Sequence, residues 1–247
     1  MKAAPESQLR LLDLQEIDTA LDRLAHRRRT LPELADIEKH EARLTELRDL
    51  VVAAETELSD VDREQRKIEN DVDVVRTRMT RDQQRLDAGN VSHAKELESL
   101  RHELESLAKR QGDLEDLVLE QMERREGIES TLAGLTAERS SVEAELAAAS
   151  ARRDEAFASI DADTGSRRAA REAVAAEIPA DLLALYEKVR ASAGGTGAAP
   201  LLRGQCQGCR LSLPPNDLAA FRAAPEDEVL RCEECRRILV RRPDSGL

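Results

Sequence analysis

The stretch VLRCEECRRILVRR, Val229 to Arg242, places two cysteines two residues apart among five arginines. Such a stretch is compatible with a metal-binding turn, with a redox-active dithiol, or with a basic surface for nucleic acid. The rest of the chain has to distinguish these three kinds of site.

A second pair of cysteines completes the pattern of a metal site. Cys206 and Cys209 have the same spacing as Cys232 and Cys235, and 22 residues separate the pairs. Each C-x-x-C segment can present two thiolates on one tight turn, and two such turns form the tetrahedral S₄ site that zinc accepts. Short alternating segments flank both pairs, as in a zinc ribbon. The sequence therefore predicts one structural zinc ion bound by these four cysteines.

A redox or catalytic role fits the cysteines less well. A thioredoxin-like dithiol requires one C-x-x-C at the start of a helix in an α/β domain, which this sequence does not predict. Four thiolates leave no open coordination position for water, which argues against catalytic zinc. The sequence also contains no recognisable nucleophile–base pair or phosphate-binding loop, so we predict that the protein is not an enzyme.

The composition of the remaining chain predicts long helices. Of 247 residues, 36% are charged and 1% are aromatic, and the formal net charge is −12. Residues 1–200 carry 30 Lys+Arg and 43 Asp+Glu, whereas residues 201–247 carry eight and seven. Ala, Glu, Leu and Arg are strong helix formers, and this mixture is typical of coiled coils. The sequence shows no signal peptide and no long apolar segment, which predicts a cytoplasmic protein.

Two seven-residue repeats predict the helices of an antiparallel hairpin. The second repeat runs from Leu97 to Ile160, with Arg125, Arg139 and Arg153 interpreted as side chains that extend from the edge of the seam. In the first repeat, 11 of 13 core positions are apolar and the residues between them are mostly charged, as in a coiled-coil seam. Those 13 positions are Leu44, Leu47, Val51, Ala54, Leu58, Val61, Gln65, Ile68, Val72, Val75, Met79, Asp82 and Leu86.

The segment DAGN separates the repeats and predicts the tip of the hairpin near 87–91. Gly89 can adopt the left-handed conformation at a helix end, and Asn90 or Ser92 can cap the next helix. Pairing about this tip places residue i opposite roughly 178 − i in an antiparallel seam. The segment DADTG, 161–165, predicts an interruption of the second helix.

The start of the chain is predicted to extend the hairpin. Residues 5–29 contain Leu14, Ile17, Leu21 and Leu24 at the 3-4-3 spacing of a helical stripe. The following segment has the spacing of a capping box and a proline that is tolerated in a first helical turn, so we expect a break near 29–32.

The predicted fold is mainly α: a long antiparallel coiled-coil hairpin followed by a small β zinc-ribbon domain. We divide it into a hairpin over 1–177, a short helix and linker over 178–200, and the ribbon over 201–247. Within the ribbon, Asn216 is expected to cap a short helical insert over 214–222. The short helix is expected to pack between the hairpin and the ribbon through Leu182, Leu183, Leu185, Tyr186 and Val189.

The arginines of the ribbon leave two interpretations open. Acidic residues lie among them and a Zn(Cys)₄ centre is formally −2, so the arginines suit an ordinary solvated face. The other interpretation is contact with nucleic acid or with an acidic protein partner. The five arginines are Arg231, Arg236, Arg237, Arg241 and Arg242.

Taken together, the chain resembles a family of bacterial proteins that combine an N-terminal coiled coil with a C-terminal four-cysteine zinc ribbon. The resemblance rests on LLALYEKVR, GQCQGCRLSLP and VLRCEECRRILVR, and on VSHAKELESLRHEL at 91–104. It implies zinc ligation by the four cysteines, no enzymatic activity and an adaptor role. Characterised relatives bind an alternative sigma factor and a flagellin messenger RNA, or a sigma factor and secretion components. The family often has Gly directly after the last cysteine, where this chain has Arg236.

Two functional hypotheses follow. The first is a protein adaptor or chaperone that holds a client on the acidic hairpin and uses the ribbon as a second docking head. The second is a nucleic-acid-binding regulator that acts through the ribbon arginines, with Arg101, Lys109 and Arg110 as further contacts. The acidic hairpin favours the first, because phosphates would be repelled. Neither hypothesis requires a membrane or a small-molecule substrate.

Overall fold

The computed structural model describes residues 1–89 and 93–247 and confirms the predicted fold class. The predicted caps Asn90 and Ser92 lie outside the described residues. The chain divides into two compact units, Met1–Leu34 with Ser150–Leu247 and Ala35–Ala149. The elements are α1 Pro5–Arg29, α2 Pro32–Asp87, α3 Ala94–Ala176, α4 Ala180–Ser192, β1 Ala198–Leu202, β2 Gln205–Cys206, α5 Pro215–Ala223, β3 Leu230–Arg231 and β4 Ile238–Val240.

In the unit formed by 35–149, α2 and α3 pack through an apolar seam. Ion pairs cross between the helices at its edges, including Arg43 with Glu138 at 2.6 Å and Arg124 with Glu57 at 2.7 Å. The buried seam residues occupy positions of the two repeats, preceded on α2 by Ile37. They are Ile37, Leu47, Val51, Val61, Ile68, Val72 and Asp82 on α2, and Leu100, Leu114, Ile128, Val142 and Ala149 on α3.

The facing register of the seam differs from the prediction. Arg43 pairs with Glu138 and Glu57 with Arg124, whereas pairing about Gly89 predicted antiparallel partners about three residues earlier on α3. The reason is that α2 continues to Asp87 while α3 begins at Ala94. These pairings therefore lie further along α3 than predicted.

The interruption predicted at 161–165 is wrong, because α3 is continuous from Ala94 to Ala176. Gly165 lies inside the helix, where a glycine costs about 1 kcal/mol relative to alanine. Ile160, one turn earlier, is buried. The stabilisation from packing and from the helical hydrogen bonds is larger than the free-energy cost of Gly165, so residues 161–165 stay helical.

The buried face of α1 is partly polar, which its apolar spacing did not indicate. Leu11 and Leu14 are fully buried, but Ile17, Leu21 and Leu24 of the predicted stripe are only half-buried. In their place the helix buries polar side chains, namely Gln8, Gln15 and Asp18.

Asp18, only 2% exposed, is the centre of a hydrogen-bonded network. The Tyr186 hydroxyl donates to Asp18 Oδ2 at 2.7 Å, and Arg171 Nε donates to Asp18 Oδ1 at 2.6 Å. Beside it, Gln15 Oε1 accepts the backbone N–H of Gly197 at 2.6 Å. A side chain at Gly197 would collide with Tyr186, since its Cβ would lie 2.7 Å from the ring. The network therefore connects α1 with α3, α4 and the segment that enters β1.

The sheet has the strand order β2-β1-β4-β3, with β1 and β4 parallel and the outer pairs antiparallel. All three residues of β4 are buried. Ile238 and Val240 belong to the core that contains Tyr186, whereas Leu239 belongs to the core that contains the cysteines. Because side chains alternate along a strand, β4 forms the layer between the helical core and the ribbon core.

Two local predictions about the segments around the sheet need correction. Residues 198–200, predicted to be linker, belong to β1, where Ala198 and Ala199 are buried against the parallel partner β4. The insert helix α5 has Pro214 at its N-cap, so Asn216 lies inside the first turn and does not cap the helix. A proline is tolerated in that turn because its missing N–H would be unpaired there. The domain boundaries inferred from composition stay a prediction.

None of the helices in 1–89 and 93–247 combines the length and the apolar character needed to cross a lipid bilayer.

The Tyr186 phenol provides a direct test of the buried network. Burial, together with the hydrogen bond to Asp18, raises the pKa of Tyr186. Because the folded-state pKa lies above the unfolded value of about 10, this stabilisation is present below pH 10 and is lost as the pH rises toward the folded-state pKa. The chain has one Tyr and no Trp, so tyrosinate absorbance reports this group alone. We expect no ionisation at pH 10 in the folded protein.

The matched control is the same titration in denaturant, where Tyr186 should ionise near its ordinary pKa of about 10. In the Asp18→Asn variant the nearby negative charge is removed, and we expect Tyr186 to titrate at a lower pH than in the parent. An ordinary tyrosine pKa in the folded parent would contradict the buried network.

Candidate metal centre

The four cysteines lie on two turns with the same backbone hydrogen bonds. In the first turn, the Arg210 N–H donates to the Cys206 carbonyl at 2.7 Å, and the Cys206 N–H donates to the Leu211 carbonyl at 3.0 Å. In the second turn, the Arg236 N–H donates to the Cys232 carbonyl at 2.9 Å, and the Cys232 N–H donates to the Arg237 carbonyl at 3.0 Å. Each turn thus places both of its thiols on one side of a closed loop.

The residue after the second cysteine of each turn has a left-handed backbone. Arg210 has φ 62° and Arg236 has φ 60°. Glycine adopts this conformation without steric cost, whereas an arginine pays for the contact of its Cβ with the backbone. The family that this chain resembles often has a glycine at the position of Arg236. This chain adopts the left-handed backbone there with an arginine.

The sulfur atoms have the spacing of a tetrahedral zinc site. All four Sγ atoms lie within 4.8 Å of one another. Cys206 and Cys235 are separated by 3.8 Å, and Cys209 and Cys232 by 3.9 Å. A tetrahedron with Zn–S bonds of about 2.3 Å has edges of about 3.8 Å. The donor set therefore fits a structural zinc ion.

Burial opposes ionisation of the thiols on the inner side of the cluster. It raises the pKa of Cys206 to about 12 and also raises the pKa of Cys232. At Cys235 burial acts in the same direction, but hydrogen bonds from the backbone and side chain of Arg237, together with those from the Cys232 and Cys209 thiols, lower the pKa to about 7. A bound Zn²⁺ supplies the positive charge that keeps such buried thiolates ionised.

Arg237 holds the two turns to the helical core. Its guanidinium donates to the carbonyls of Ala193 at 2.7 Å, Thr196 at 3.1 Å and Gly208 at 3.3 Å. Gly208 is required for this approach, because a Cβ there would lie 2.6 Å from Arg237 Cδ. The side chain is thus part of the ribbon's internal structure.

Arg241 has a similar internal role on the other side of the ribbon. It donates to the carbonyls of Ala224, Pro225, Glu226 and Glu228 at distances from 2.6 to 3.0 Å. Sequence reasoning grouped Arg241 with arginines available to a partner, because a guanidinium used on backbone carbonyls has no local sequence signal.

Of the other three arginines predicted as contacts, Arg236 and Arg242 are exposed and Arg231 is half-buried. Arg236 lies 3.6 Å from Glu233, and Arg242 lies 3.6 Å from Asp244, in solvent-exposed ion pairs. Arg231 donates through Nε to the carbonyl of Arg236 at 3.0 Å. Surface pairs of this kind contribute little to stability, so the exposed Arg236 and Arg242 are accessible to a partner, whereas Arg231 is half-buried. Their contact with a partner stays a prediction.

The segment before α1 also belongs to the ribbon, which sequence analysis missed. The Ala3 N–H donates to the Asp227 carbonyl at 2.7 Å, and the Val229 N–H donates to the Met1 carbonyl at 3.1 Å. Gln8 Nε2 reinforces this bridge by donating to the carbonyls of Ala3 at 2.9 Å and Glu226 at 3.2 Å. Residues separated by more than 200 positions are paired here, so no local pattern indicates the contact.

A cleft of about 700 Å³ lies beside Asp18, between α1 and α3. Its arginines are largely compensated by acidic neighbours: Arg171 pairs with Asp18, Arg190 with Asp22 at 2.7 Å, and Arg28 with Asp161. These ion pairs form a charge network that stabilises the fold, and they leave few charges in the cleft for a ligand.

Comparison with known proteins agrees with both parts of the chain. Residues 14–194 match the model of a CT398-like coiled-coil hairpin domain, and residues 205–239 match a C4-type zinc ribbon domain. An uncharacterized protein of Mycobacterium tuberculosis is 38% identical over 241 residues, which cover 98% of each chain.

Two solved structures are similar along nearly the whole chain. A protein from Mycobacterium smegmatis is 36% identical, with a TM-score of 0.85 over 98% of this chain and 100% of that one. The CT398 protein from Chlamydia trachomatis is 22% identical, with a TM-score of 0.72 over 96% and 98% of the two chains, which shows the shared fold.

Removing one cysteine tests the metal assignment. We expect one mole of zinc per mole of the parent chain and loss of that zinc in Cys232→Ser, because three thiolates cannot close the tetrahedral site. Metal analysis measures the zinc, and circular dichroism should show almost unchanged helix while proteolysis cleaves the ribbon. A metal-free parent with a protease-resistant ribbon would contradict the assignment.

Replacing Arg236 by glycine tests the left-handed turn. Arg236→Gly removes the Cβ contact at φ 60°, so we expect zinc retention to increase, with a stabilisation of the folded ribbon by about 1 kcal/mol. Competition with a chelator measures retention. Arg242→Gly is the matched control, because Arg242 is exposed and outside the positive-φ residues, and it should give no increase. Weaker zinc binding in Arg236→Gly would contradict this, because it would show that the arginine side chain stabilises the zinc site more than the backbone strain destabilises it.

Proposed function

The chain belongs to the family of proteins that combine a CT398-like coiled-coil hairpin with a C4-type zinc ribbon, and on this premise we propose that it acts as a non-enzymatic protein adaptor. In this proposal the unit 35–149 binds a client protein. The ribbon, closed by zinc on Cys206, Cys209, Cys232 and Cys235, is a second docking surface.

The distribution of charge is the observation that carries this proposal. Residues 35–149 contain 29 Asp+Glu and 17 Lys+Arg, a net charge of −12, whereas the rest of the chain contains 21 of each. The entire net charge is therefore in one unit of two packed helices. Charge concentrated in this way attracts a partner of opposite sign and steers its approach.

The same unit also exposes large apolar side chains. Apolar side chains scattered singly over a surface are ordinary, but several on one two-helix unit among acidic residues suit a protein-binding surface. They are Leu50, Val52, Val74, Leu117, Leu119 and Met122. A partner that combines apolar and basic side chains complements them.

The alternative is a regulator that binds nucleic acid through the ribbon. The exposed Arg236 and Arg242 support it, since phosphate contacts come mainly from arginine and lysine. Both already face carboxylates, and the net charge of 35–149 would repel a nucleic-acid backbone. These charges favour the adaptor. The family resemblance suggests a sigma factor or a secretion component as the client.

Crosslinking and affinity capture from the native cell test the two functions. We expect a protein partner that is still captured after nuclease treatment and by the variant Arg236→Ala/Arg242→Ala. This pair is preferable to Arg237 and Arg241, because those two side chains hold the ribbon backbone and their loss would disturb its fold. Capture that requires nucleic acid, or that is lost in this variant and falls steeply with salt, would replace the adaptor by the nucleic-acid regulator.

A further inference from the structure

One groove in the unit 35–149 combines an apolar floor with an acidic rim. The groove has a volume of about 490 Å³ and lies between α2 and α3. Val72 and Val118 form its floor with Leu119, and charged side chains form its rim. We call this surface the Leu119 groove; it is lined by Glu69, Val72, Asp73, Arg76, Glu115, Val118 and Leu119.

Leu119 is not one of the buried residues of the seam. The seam of α3 passes through Leu114 and Val118, and Leu119 lies outside it with 58% of its surface exposed. Met122, 43% exposed, follows three residues later, on the same side of the helix. A partner helix laid along the groove would bury both side chains next to the seam residues.

The charges around the groove define the partner. Three carboxylates line the groove, namely Glu69, Asp73 and Glu115, and one cation among the described residues, Arg76, lines it with them. Glu115 pairs with Arg76 at 2.7 Å, and Asp73 lies 4.0 Å from the same guanidinium. One cation against three carboxylates leaves the lining with a net charge of −2.

We infer that the Leu119 groove binds a basic amphipathic helix, which packs as a third helix against α2 and α3. Such a helix presents apolar residues at i, i+3 or i+4, and i+7 to the groove, with Lys or Arg on both flanks facing the carboxylates. A second copy of this chain is disfavoured, because it would bring two acidic surfaces together. This inference rests on the proposed adaptor function and names the chemistry of its client.

A designed peptide tests the groove. The probe is a labelled 21-residue helix with Leu at the i, i+3 and i+7 positions and Lys on the flanks, and fluorescence anisotropy with the full chain measures its affinity. We expect binding that weakens at least about tenfold in Leu119→Ser/Met122→Ser, since hot-spot side chains near the centre of an interface dominate its affinity. The matched control is Leu50→Ser/Val52→Ser, which removes two equally exposed apolar side chains outside the groove and should change the affinity less than about twofold.

The charge component is tested separately. Glu69→Gln/Asp73→Asn removes two carboxylates from the rim and should weaken binding at low salt, with the difference disappearing at high salt. A peptide with Glu in place of Lys should not bind. No binding of the basic peptide, equal weakening by both serine variants, or equal binding of the acidic peptide would overturn the inference.

Sedimentation distinguishes the other occupant. If the parent chain self-associates and Leu119→Ser/Met122→Ser abolishes this, the groove binds a second copy and the inference is wrong. The adaptor function can hold even if the groove does not bind the peptide, and cellular capture tests it separately. A protein captured in the cell by the groove variant, together with no peptide binding, would leave the adaptor in place and remove only the groove.

Discussion

The burial of the Asp18 carboxylate is the constraint on which the unit formed by 1–34 and 150–247 depends. A buried carboxylate is stable only when ion pairs and hydrogen bonds replace its lost hydration. Here the replacement comes from Tyr186 on α4 and from Arg171 on α3, while Asp18 itself lies on α1. The network can form only when these three helices are assembled together, so it selects one arrangement among those that the apolar residues alone would allow.

The ribbon is built onto this arrangement through β4 and is closed by the cysteines. Ile238 and Val240 pack into the helical core, and Leu239 packs into the core of the cysteines. A sheet of four short strands buries little apolar surface, which is why small domains of this kind depend on a structural metal. The internal contacts of Arg237 and Arg241 add hydrogen bonds to carbonyls that the short strands leave unpaired.

The unit 35–149 has a different design. Its apolar seam uses one stripe of each helix, and its surface carries the net charge of the whole protein. Asp82 shows that even the seam is not uniformly apolar, since this side chain is buried at a core position with Arg81 at 3.5 Å. A single charged residue in a seam costs stability but specifies how the helices pair. The surface of the same unit exposes leucines and carboxylates, which suit a partner.

The sequence by itself determined the elements that depend on local spacing: the heptad seams, the short helix with Tyr186, and the two C-x-x-C turns with their zinc. Periodicity and ligand spacing are properties of neighbouring residues, so they can be read without a structure. Only the tertiary structure decided the register of α2 on α3, the continuity of α3 past Gly165, the buried role of Asp18, and the use of Arg237 and Arg241 on backbone carbonyls. Each of these depends on a contact between distant residues, whose stabilisation outweighs the local preference.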